Sequence, residues 1–442
     1  MQAARSVAIS LLEGSRAFSA AVAAQAAGPT VTLSWGVGQQ GALGIHSTRD
    51  QHEPEEIPDL PNNIAALGAG HYSSFACTAE GQLWSWGRNN EGQLGRPLAE
   101  NEFGCSPVPR PVDALSAHHI VTATGSGVAS FGLTKQGGLL AWGTSKRGQL
   151  GLGAGITRAE QPRQLHLPAA VVHMSAGWGH AAALLEDNSV WTWGWPASGR
   201  LGHSFAADAA DEEEQRLMER CCWEPRRLEL LQGAVVRQVV CGFDHTLVLA
   251  QDGSLFTFGD NSLCQLGRPS QVQGEAMQPR DATAWLINPD FDCGRRIRFR
   301  KVAAGLGHCL GVLADGSTVS WGWNSAGQCG LGQFVTEECV ERPTPIYGIP
   351  TNRHALITAG RVHSVLITDE VSERTSAFEA QGVGRTQLTM CHSWGSAQAG
   401  RLGSGMYEDA LFPELVPDLD GEHIVDVACG LDHTLVLGLE RC

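Results

Sequence analysis

"GLGHCLGVLADGSTVSWGWNSAGQCG", from Gly305 to Gly330, contains every feature that decides the fold of this chain. The stretch begins with a Gly-x-x-His motif, continues into a short apolar run, turns at "ADGS" and ends with a Trp-Gly pair and a glycine-rich turn. Two alternating apolar runs on either side of a marked turn predict a β-hairpin. What the hairpin belongs to depends on how often it recurs.

The Trp-Gly element occurs seven times, once as Phe-Gly, with its glycine at positions 36, 87, 143, 194, 259, 322 and 395. A Gly-x-x-His motif or a variant of it begins at positions 68, 125, 177, 242, 305, 360 and 430. Repeats that cannot each bury a core predict one array in which neighbours stack. With 54 Gly in 442 residues and hairpins throughout, the sequence predicts an all-β fold, a seven-bladed β-propeller.

The two ends of the sequence each contain half of a repeat. "GLDHTLVLGLERC" at the C-terminus has no Trp-Gly strand after it, and "TVTLSWGVGQQGALG" near the N-terminus has no Gly-x-x-His strand before it. We therefore expect strands from both ends to pair in one blade, which would remove the open sheet edge. Residues 30–442 are predicted to be a single propeller, with insertions at about 203–235, 268–301 and 371–391.

Residues 1–29 differ from the repeats in composition. They are rich in Ala, Ser and Leu and carry Arg5 and Arg16 with a single Glu, which is typical of a mitochondrial or chloroplast transit peptide. "RAFSA" at Arg16 is similar to a mitochondrial processing site. The alternative is an ordinary N-terminal tail. No apolar run reaches the roughly 18 residues that a membrane span needs. We expect a location in the mitochondrial matrix, with the chloroplast, cytoplasm or nucleus as alternatives.

The fixed order of the two motifs, Gly-x-x-His and Trp-Gly-x-x-x-x-Gly-x-Leu-Gly, resembles that of the regulator of chromosome condensation family over residues 30–442. The resemblance implies a seven-bladed propeller. Members of that family act as exchange factors for the small GTPase Ran, as a plant ultraviolet-B photoreceptor, or as organelle proteins in RNA splicing and ribosome assembly. Because of its N-terminus, the chain is most similar to the organelle members.

The repeated Trp and His side chains are predicted to be structural. A buried Trp removes about 150–250 Å² from water, and a metal site would need three or four His at ligand distance, whereas a ring of blades spreads them apart. One unit has Val128 in place of His. We therefore predict no metal and no cofactor, and structural roles for Trp35, Trp86, Trp142, Trp193, Phe258, Trp321, Trp394, His71, His180, His245, His308, His363 and His433.

Catalytic motifs do not emerge from the sequence. "GVGQQG" at Gly36 matches a dinucleotide-binding pattern, but it lies in a repeat turn and no crossover helix follows. The sequence contains no Gly-Lys dipeptide, no Gly-x-Ser-x-Gly and no His-Glu-x-x-His. The prediction is a protein that is not an enzyme.

The insertions are where recognition is expected, because loops carry function on a repeated scaffold. One insertion is acidic and predicts a helix from Asp208 to about Cys222. Another ends in "CGRRIRFRKV", where arginines alternate with apolar residues and would share one face of a strand. The predicted contact for RNA phosphate or an acidic partner comprises Arg295, Arg296, Arg298, Arg300 and Lys301. The alternative is a solvated strand face.

The formal net charge of −15 argues against nucleic-acid binding over the whole surface, so any RNA contact would be local or indirect. The sequence therefore predicts a non-catalytic mitochondrial platform for ribosome-assembly or splicing factors. One alternative is a guanine-nucleotide exchange factor for a small GTPase, with an insertion as the wedge, although no basic nuclear tail supports the Ran version. The other is a photoreceptor, whose Gly-Trp-Arg-His-Thr signature is matched only by Trp178 in "GWGHA".

Overall fold

The computed structural model describes the backbone of residues 271–272, 275–276 and 285–287, and in full residues 28–203, 223–229, 231, 233–268, 297–333, 335, 337–369 and 388–440. The predicted helix from Asp208 to Cys222, residues 1–27 of the predicted transit peptide, and two of the predicted contact residues, Arg295 and Arg296, lie outside these ranges.

The described chain forms seven four-stranded antiparallel sheets and a separate two-stranded ribbon. The prediction of a seven-bladed all-β propeller is confirmed. We number the blades by their Trp-Gly strand. Blade 1 consists, from the axis outward, of β29 (Ile424–Cys429), β30 (His433–Leu439), β1 (Thr30–Gly36) and β2 (Gln51–Glu56).

The other blades are each formed by strands that are consecutive in sequence. Blade 2 contains β3 (Ile64–Ala69), β4 (Ser73–Thr78), β5 (Leu83–Arg88) and β6 (Cys105–Pro111). Blade 3 contains β7 (Ile120–Gly125), β8 (Ala129–Thr134), β9 (Leu139–Thr144) and β10 (Arg158–Leu165). Blade 4 contains β11 (Val171–Ala176), β12 (His180–Leu185), β13 (Val190–Gly194) and the short β14 (Arg226–Arg227).

Blade 5 contains β15 (Val236–Cys241), β16 (His245–Ala250), β17 (Leu255–Gly259) and β20 (Trp285–Ile287), and the ribbon is β18 (Gln271–Val272) with β19 (Glu275–Ala276). Blade 6 contains β21 (Phe299–Ala304), β22 (His308–Leu313), β23 (Thr318–Trp323) and β24 (Cys339–Pro345). Blade 7 contains β25 (Leu356–Ala359), β26 (His363–Asp369), β27 (Thr389–Gly395) and β28 (Ala410–Leu415). Single-turn 3₁₀ helices lie at Asp113–Leu115, Ala197–Gly199, Gln398–Gly400 and Pro417–Leu419.

Blade 1 closes the ring as the half-repeats predict. Strand β1 pairs antiparallel with β30 along its whole length, and Trp35 faces Thr434 while Gly36 faces His433. Both ends of the described chain are therefore held in the same sheet, and this prediction is confirmed.

The hydrophobic core is divided among the blade interfaces. The described residues form seven apolar clusters, one between each pair of neighbouring blades. Each cluster contains the aromatic residue of one Trp-Gly or Phe-Gly pair, and all seven of these rings are fully buried. Burial of an aromatic ring between sheets is the main force that joins one blade to the next.

The glycine of the Trp-Gly pair is required by its surroundings. Gly322 has φ +98°, and a Cβ there would lie 2.8 Å from the His308 Cα on the paired strand. Only glycine tolerates both this backbone conformation and so close an approach. The recurrent pair thus combines a ring for the interface with a strand end that fits against the next strand.

Candidate partner-binding sites at the two ends of the axial channel

The interface between blades 6 and 7 shows what the repeated histidine does. The Gln328 carbonyl oxygen accepts the Nε1–H of Trp394 at 2.9 Å and the Oγ–H of Ser364 at 2.8 Å. Nε2 of His308 lies 2.9 Å from the same Ser364 oxygen. Because the hydroxyl uses its one hydrogen on Gln328, His308 is the donor in this contact and carries its proton on Nε2.

The same contact joins other neighbouring blades. Burial lowers the pKa of these histidines, to about 3 for His308, so that they are neutral at physiological pH. Their role is to bind the next blade, and no group of three His, Cys, Asp or Glu that could hold a metal ion occurs in the described part of the chain. The pairs are His180 with Thr246, His245 with the thiol of Cys309, His308 with Ser364, His363 with Thr434, and His433 with Ser74.

His71 does not occupy the place that the sequence predicts for it. Ser73, not His71, pairs with Gly87 in the way that His308 pairs with Gly322. The prediction is wrong because "GAGH" contains two glycines, and the loop begins at the second of them. In blade 3 the equivalent residue is Ala129, which pairs with Gly143, so Val128 was also placed one residue too early.

His71 instead belongs to an aromatic cluster at one end of the axial channel, which we call the loop end because the loops between the first and second strands of each blade form it. The His71 and Trp178 rings are 5.4 Å apart and nearly parallel, and the Trp178 and Phe243 rings are 5.0 Å apart. Burial, and then the charge of Arg361, lower the pKa of His71 to about 4. The three rings are half-buried and come from three blades: His71 from blade 2, Trp178 from blade 4 and Phe243 from blade 5.

A cavity of about 350 Å³ runs along the axis below this cluster. The innermost strand of every blade lines it, and polar side chains bridge some of these strands to the next. The Gln238 amide contacts both N–H and C=O of Val302 in the next blade, at 3.2 and 3.0 Å. The Asp426 carboxylate accepts the N–H of Leu67 at 2.8 Å. The channel wall is therefore held together by side chains that reach between blades.

Away from the loop end, the innermost strands of blades 5 and 6 carry three cationic side chains, one of which, Lys301, is near enough to Asp426 to feel its charge. Arg237 and Arg300 stand five residues before Gly242 and Gly305, so they occupy equivalent positions in neighbouring blades. Burial, and next the charge of Arg300, lower the pKa of Arg237. Lys301 lies in the same region, and burial lowers its pKa to about 8. We call Arg237, Arg300 and Lys301 the basic mouth.

The predicted arginine face is only partly present among the described residues. Strand β21 begins at Phe299, after Arg298, and its register shifts between Phe299 and Lys301, so the predicted uninterrupted alternation is wrong. The guanidinium of Arg298 binds the Asp252 carboxylate at 2.9 Å and the Ser254 hydroxyl at 2.9 Å. Arg300 and Lys301, by contrast, lie within β21, the innermost strand of blade 6, and Lys301 donates to the Ala355 carbonyl of blade 7 at 3.4 Å.

Some residues at the channel ends were not singled out from the sequence. Arg237 was missed although "RQVVCGFDH" and "RKVAAGLGH" place Arg237 and Arg300 at the same distance from their Gly-x-x-His motifs. Asp426 was also missed, and it shares the innermost position of Lys301, four residues before Gly430. Burial raises the pKa of Asp426 to about 6. Alignment of the repeats one below the other would have found both residues.

Comparisons with known proteins agree with the architecture. A model of the RCC1-like domain matches residues 31–436. The ultraviolet-B receptor UVR8 of Arabidopsis thaliana is 26% identical over 402 residues, which cover 89% of this chain and 80% of the receptor. The guanine nucleotide exchange factor SRM1 of Saccharomyces cerevisiae is 29% identical over 325 residues, which cover 72% of this chain and 64% of SRM1, less than two thirds of its length. The crystal structure of Prp20p from Saccharomyces cerevisiae has a TM-score of 0.76 at 22% identity, covering 94% of this chain and 93% of that chain, and this likeness concerns the fold.

Proposed function

The chain belongs to the RCC1-like domain family, and on that premise we propose that it is a non-catalytic propeller platform in the mitochondrial matrix, where it assists RNA splicing or ribosome assembly by binding protein partners. The observation that carries the proposal is the basic mouth. Three cationic side chains, Arg237, Arg300 and Lys301, gather on the innermost strands of two neighbouring blades in a chain with a net charge of −15.

The chemistry of the basic mouth defines the kind of group it receives. Arginine guanidinium groups bind carboxylates and phosphates through paired hydrogen bonds. Arg237 is exposed and Arg300 is partly exposed, so both are accessible from outside the ring. An acidic segment of a partner protein, or a few RNA phosphates presented by that partner, fits this site. The acidic remainder of the surface would repel a long nucleic acid.

The mitochondrial part of the proposal is supported by the composition of residues 1–29. A fusion of residues 1–30 to a fluorescent reporter should be imported into mitochondria. A fusion in which Arg5 and Arg16 are replaced by Glu should remain in the cytosol, because import signals depend on positive charge. Diffuse or nuclear fluorescence of the unaltered fusion would contradict the proposed location.

A second candidate function is guanine-nucleotide exchange. The similarity to SRM1, which is named as such an exchange factor, favours it, and the Prp20p structure is described together with binding to Gsp1p and histones. Exchange requires a wedge beside the propeller, which the insertions at 203–235 or 268–301 would have to supply. A photoreceptor is less well supported, because blades 5 and 6 carry Phe243 and Leu306 where blade 4 carries Trp178.

Affinity purification of the tagged chain from crosslinked mitochondria separates these functions. The platform predicts recovery of several ribosomal or splicing proteins, whereas a single GTPase that prefers the nucleotide-free state would indicate exchange. Arg237→Glu with Arg300→Glu should abolish most of the recovery. The matched control is Arg158→Glu with Arg163→Glu, which reverses two exposed charges on β10. Equal recovery by both double variants would remove the basic mouth from the proposal.

A further inference from the structure

Exposed apolar side chains are concentrated in one short segment of blade 7. Of the eight large hydrophobic residues that are exposed in the described part of the chain, five lie between residues 406 and 415. A contiguous apolar patch on a protein surface marks an interaction site more often than scattered single residues do. The five are Met406 (63% exposed), Tyr407 (78%), Leu411 (40%), Phe412 (44%) and Leu415 (45%).

This segment is fixed in position by blades 6 and 1 on either side. The N–H of Gly332, in blade 6, donates to the Leu411 carbonyl at 2.9 Å, and the Phe412 ring packs directly on Gly332. On the other side, the Tyr407 and His52 rings are 4.6 Å apart, so the segment also contacts strand β2 of blade 1. The apolar side chains therefore form part of a built surface that extends over three blades.

The surroundings of this segment are strongly acidic. The outer segments 337–342, 406–415 and 51–56 of these three consecutive blades contain nine Asp or Glu residues, all exposed, and a single Arg, Arg342. We call this surface the acidic rim. Its carboxylates belong to Glu337, Glu338, Glu341, Glu408, Asp409, Glu414, Glu53, Glu55 and Glu56.

The combination of charge and apolar area restricts what the rim can bind. RNA and anionic lipid surfaces would be repelled, and a second copy of the chain would bring two acidic rims together in a symmetric dimer. A cationic segment with one apolar face satisfies both components of the surface. Addition of a strand to β28 is disfavoured, because Pro413 lies within it and its register with β27 shifts between Ser393 and Gly395.

From these observations we infer that the acidic rim docks a basic amphipathic helix of a partner protein. The inference rests on the proposed platform role and adds to it a second surface, with the opposite charge preference from that of the basic mouth. The apolar face of the helix would cover Met406, Tyr407 and Phe412, while its Lys and Arg side chains would reach the carboxylates of blades 6 and 1. Binding of an amphipathic helix through its apolar face is a recurring mode of peptide recognition.

The test uses the full chain and a fluorescein-labelled helical peptide of 18 residues, built from Leu and Lys, with fluorescence anisotropy as the readout. The double variant Met406→Ser with Tyr407→Ser should weaken binding at least about tenfold, because two large apolar side chains lose their contact. Both residues are mostly exposed, so the fold should tolerate the change. Phe103→Ser is the matched control, since Phe103 is 86% exposed on blade 2 and lies outside the rim.

The charge component is tested with Glu408→Lys and Glu414→Lys together, against Asp113→Lys and Glu186→Lys, which reverse two exposed carboxylates on other blades. The rim pair should weaken binding and reduce its salt dependence, while the control pair should change the affinity less than about twofold. Equal effects of rim and control variants, or equal affinity for a Leu-Lys peptide scrambled to lack an apolar face, would overturn the inference. The assay needs no mitochondria, so it distinguishes failure of the rim from failure of the proposed function.

Discussion

Two surfaces of blade 7, its face toward blade 6 and its outermost strand, have opposite properties. At its interface with blade 6, the Trp394 ring is fully buried and donates its N–H to Gln328, whereas on its outer strand Leu411, Phe412 and Leu415 are 40–45% exposed. The first set of contacts recurs from blade to blade, and the second does not. The difference teaches that the repeat specifies a ring and leaves recognition to residues outside the repeat. Changes inside should therefore lower stability, and changes outside should lower binding.

The largest expected effect concerns the buried histidines at the blade interfaces. The pKa of His245 and of His308 is lowered to about 3, and that of His433 to about 4, compared with about 6.5 in an unfolded chain. Between these values the unfolded state binds protons that the folded state does not. The stabilising contribution of these histidines should be fully present above pH 6.5. Below that pH the free energy of unfolding should fall by about 1.4 kcal/mol per pH unit for each such histidine.

Asp426 acts in the opposite direction. Its pKa is raised to about 6, so the folded state holds this proton more tightly than an unfolded chain does. The contribution of Asp426 to the free energy of unfolding therefore increases as the pH falls from about 6 to 4. One carboxyl group is outweighed by several histidines. Urea unfolding at pH 7.5, 6 and 5 measures the sum. His308→Gln should reduce the dependence on pH, because it removes one buried histidine whose pKa is lowered. A flat stability from pH 7.5 to 5 would contradict the structural role.

The next effect compares the face of blade 7 that packs on blade 6 with the surface around its outermost strand. Trp394→Ala should lower the free energy of unfolding by about 3–5 kcal/mol, because a fully buried ring leaves a cavity between blades. Trp394→Phe should cost less, about 1–3 kcal/mol, because the smaller ring leaves a smaller cavity and loses the hydrogen bond to the Gln328 carbonyl, which still accepts from Ser364. Phe258 shows that a blade can be built without this indole hydrogen bond, since the backbone carbonyl oxygen of Arg200 accepts the hydroxyl hydrogen of Thr246 there at 2.8 Å.

The matched change is Met406→Ser, in the acidic rim just before β28, which should alter the free energy of unfolding by less than about 0.5 kcal/mol because the side chain is exposed. All of these variants can be compared in urea by Trp fluorescence. If Met406→Ser destabilised the protein as much as Trp394→Ala, the proposed separation between ring and recognition surface would be lost.

The same contrast explains what could be predicted from the sequence. Trp394-Gly395 and His308 recur with fixed partners, so their places in the ring and the closure through Trp35 were predictable. His71 was misplaced because Gly68 and Gly70 offer two frames for the motif, and only pairing with Gly87 distinguishes them. The bulge at Arg300 leaves no trace in the alternation of residues.

The acidic rim was missed for a related reason. "ALFPEL", from Ala410 to Leu415, has the composition of a strand with buried side chains, and nothing in the sequence says that it is the outermost strand of its blade. Exposure of Leu411 and Phe412 is a property of the assembled ring. Such surfaces become visible only when the position of a strand within its sheet is known.

The smallest expected effect on stability belongs to two arginines that the sequence placed in one candidate contact. Arg298→Ala should change the free energy of unfolding by less than about 0.5 kcal/mol, because its ion pair with Asp252 lies at the surface. Arg300→Ala should be equally mild, since the charge of Arg300 is described as repelling Arg237 and Lys301 and its loss relieves both repulsions. The two variants should nevertheless differ in crosslinked partner recovery. The Arg298 charge is already compensated by Asp252, so its loss should have little effect on recovery, whereas loss of Arg300 removes a cation from the basic mouth. Equal recovery by the two variants would mean that the position of a cation around the channel does not matter, and that the basic mouth is a solvated strand end.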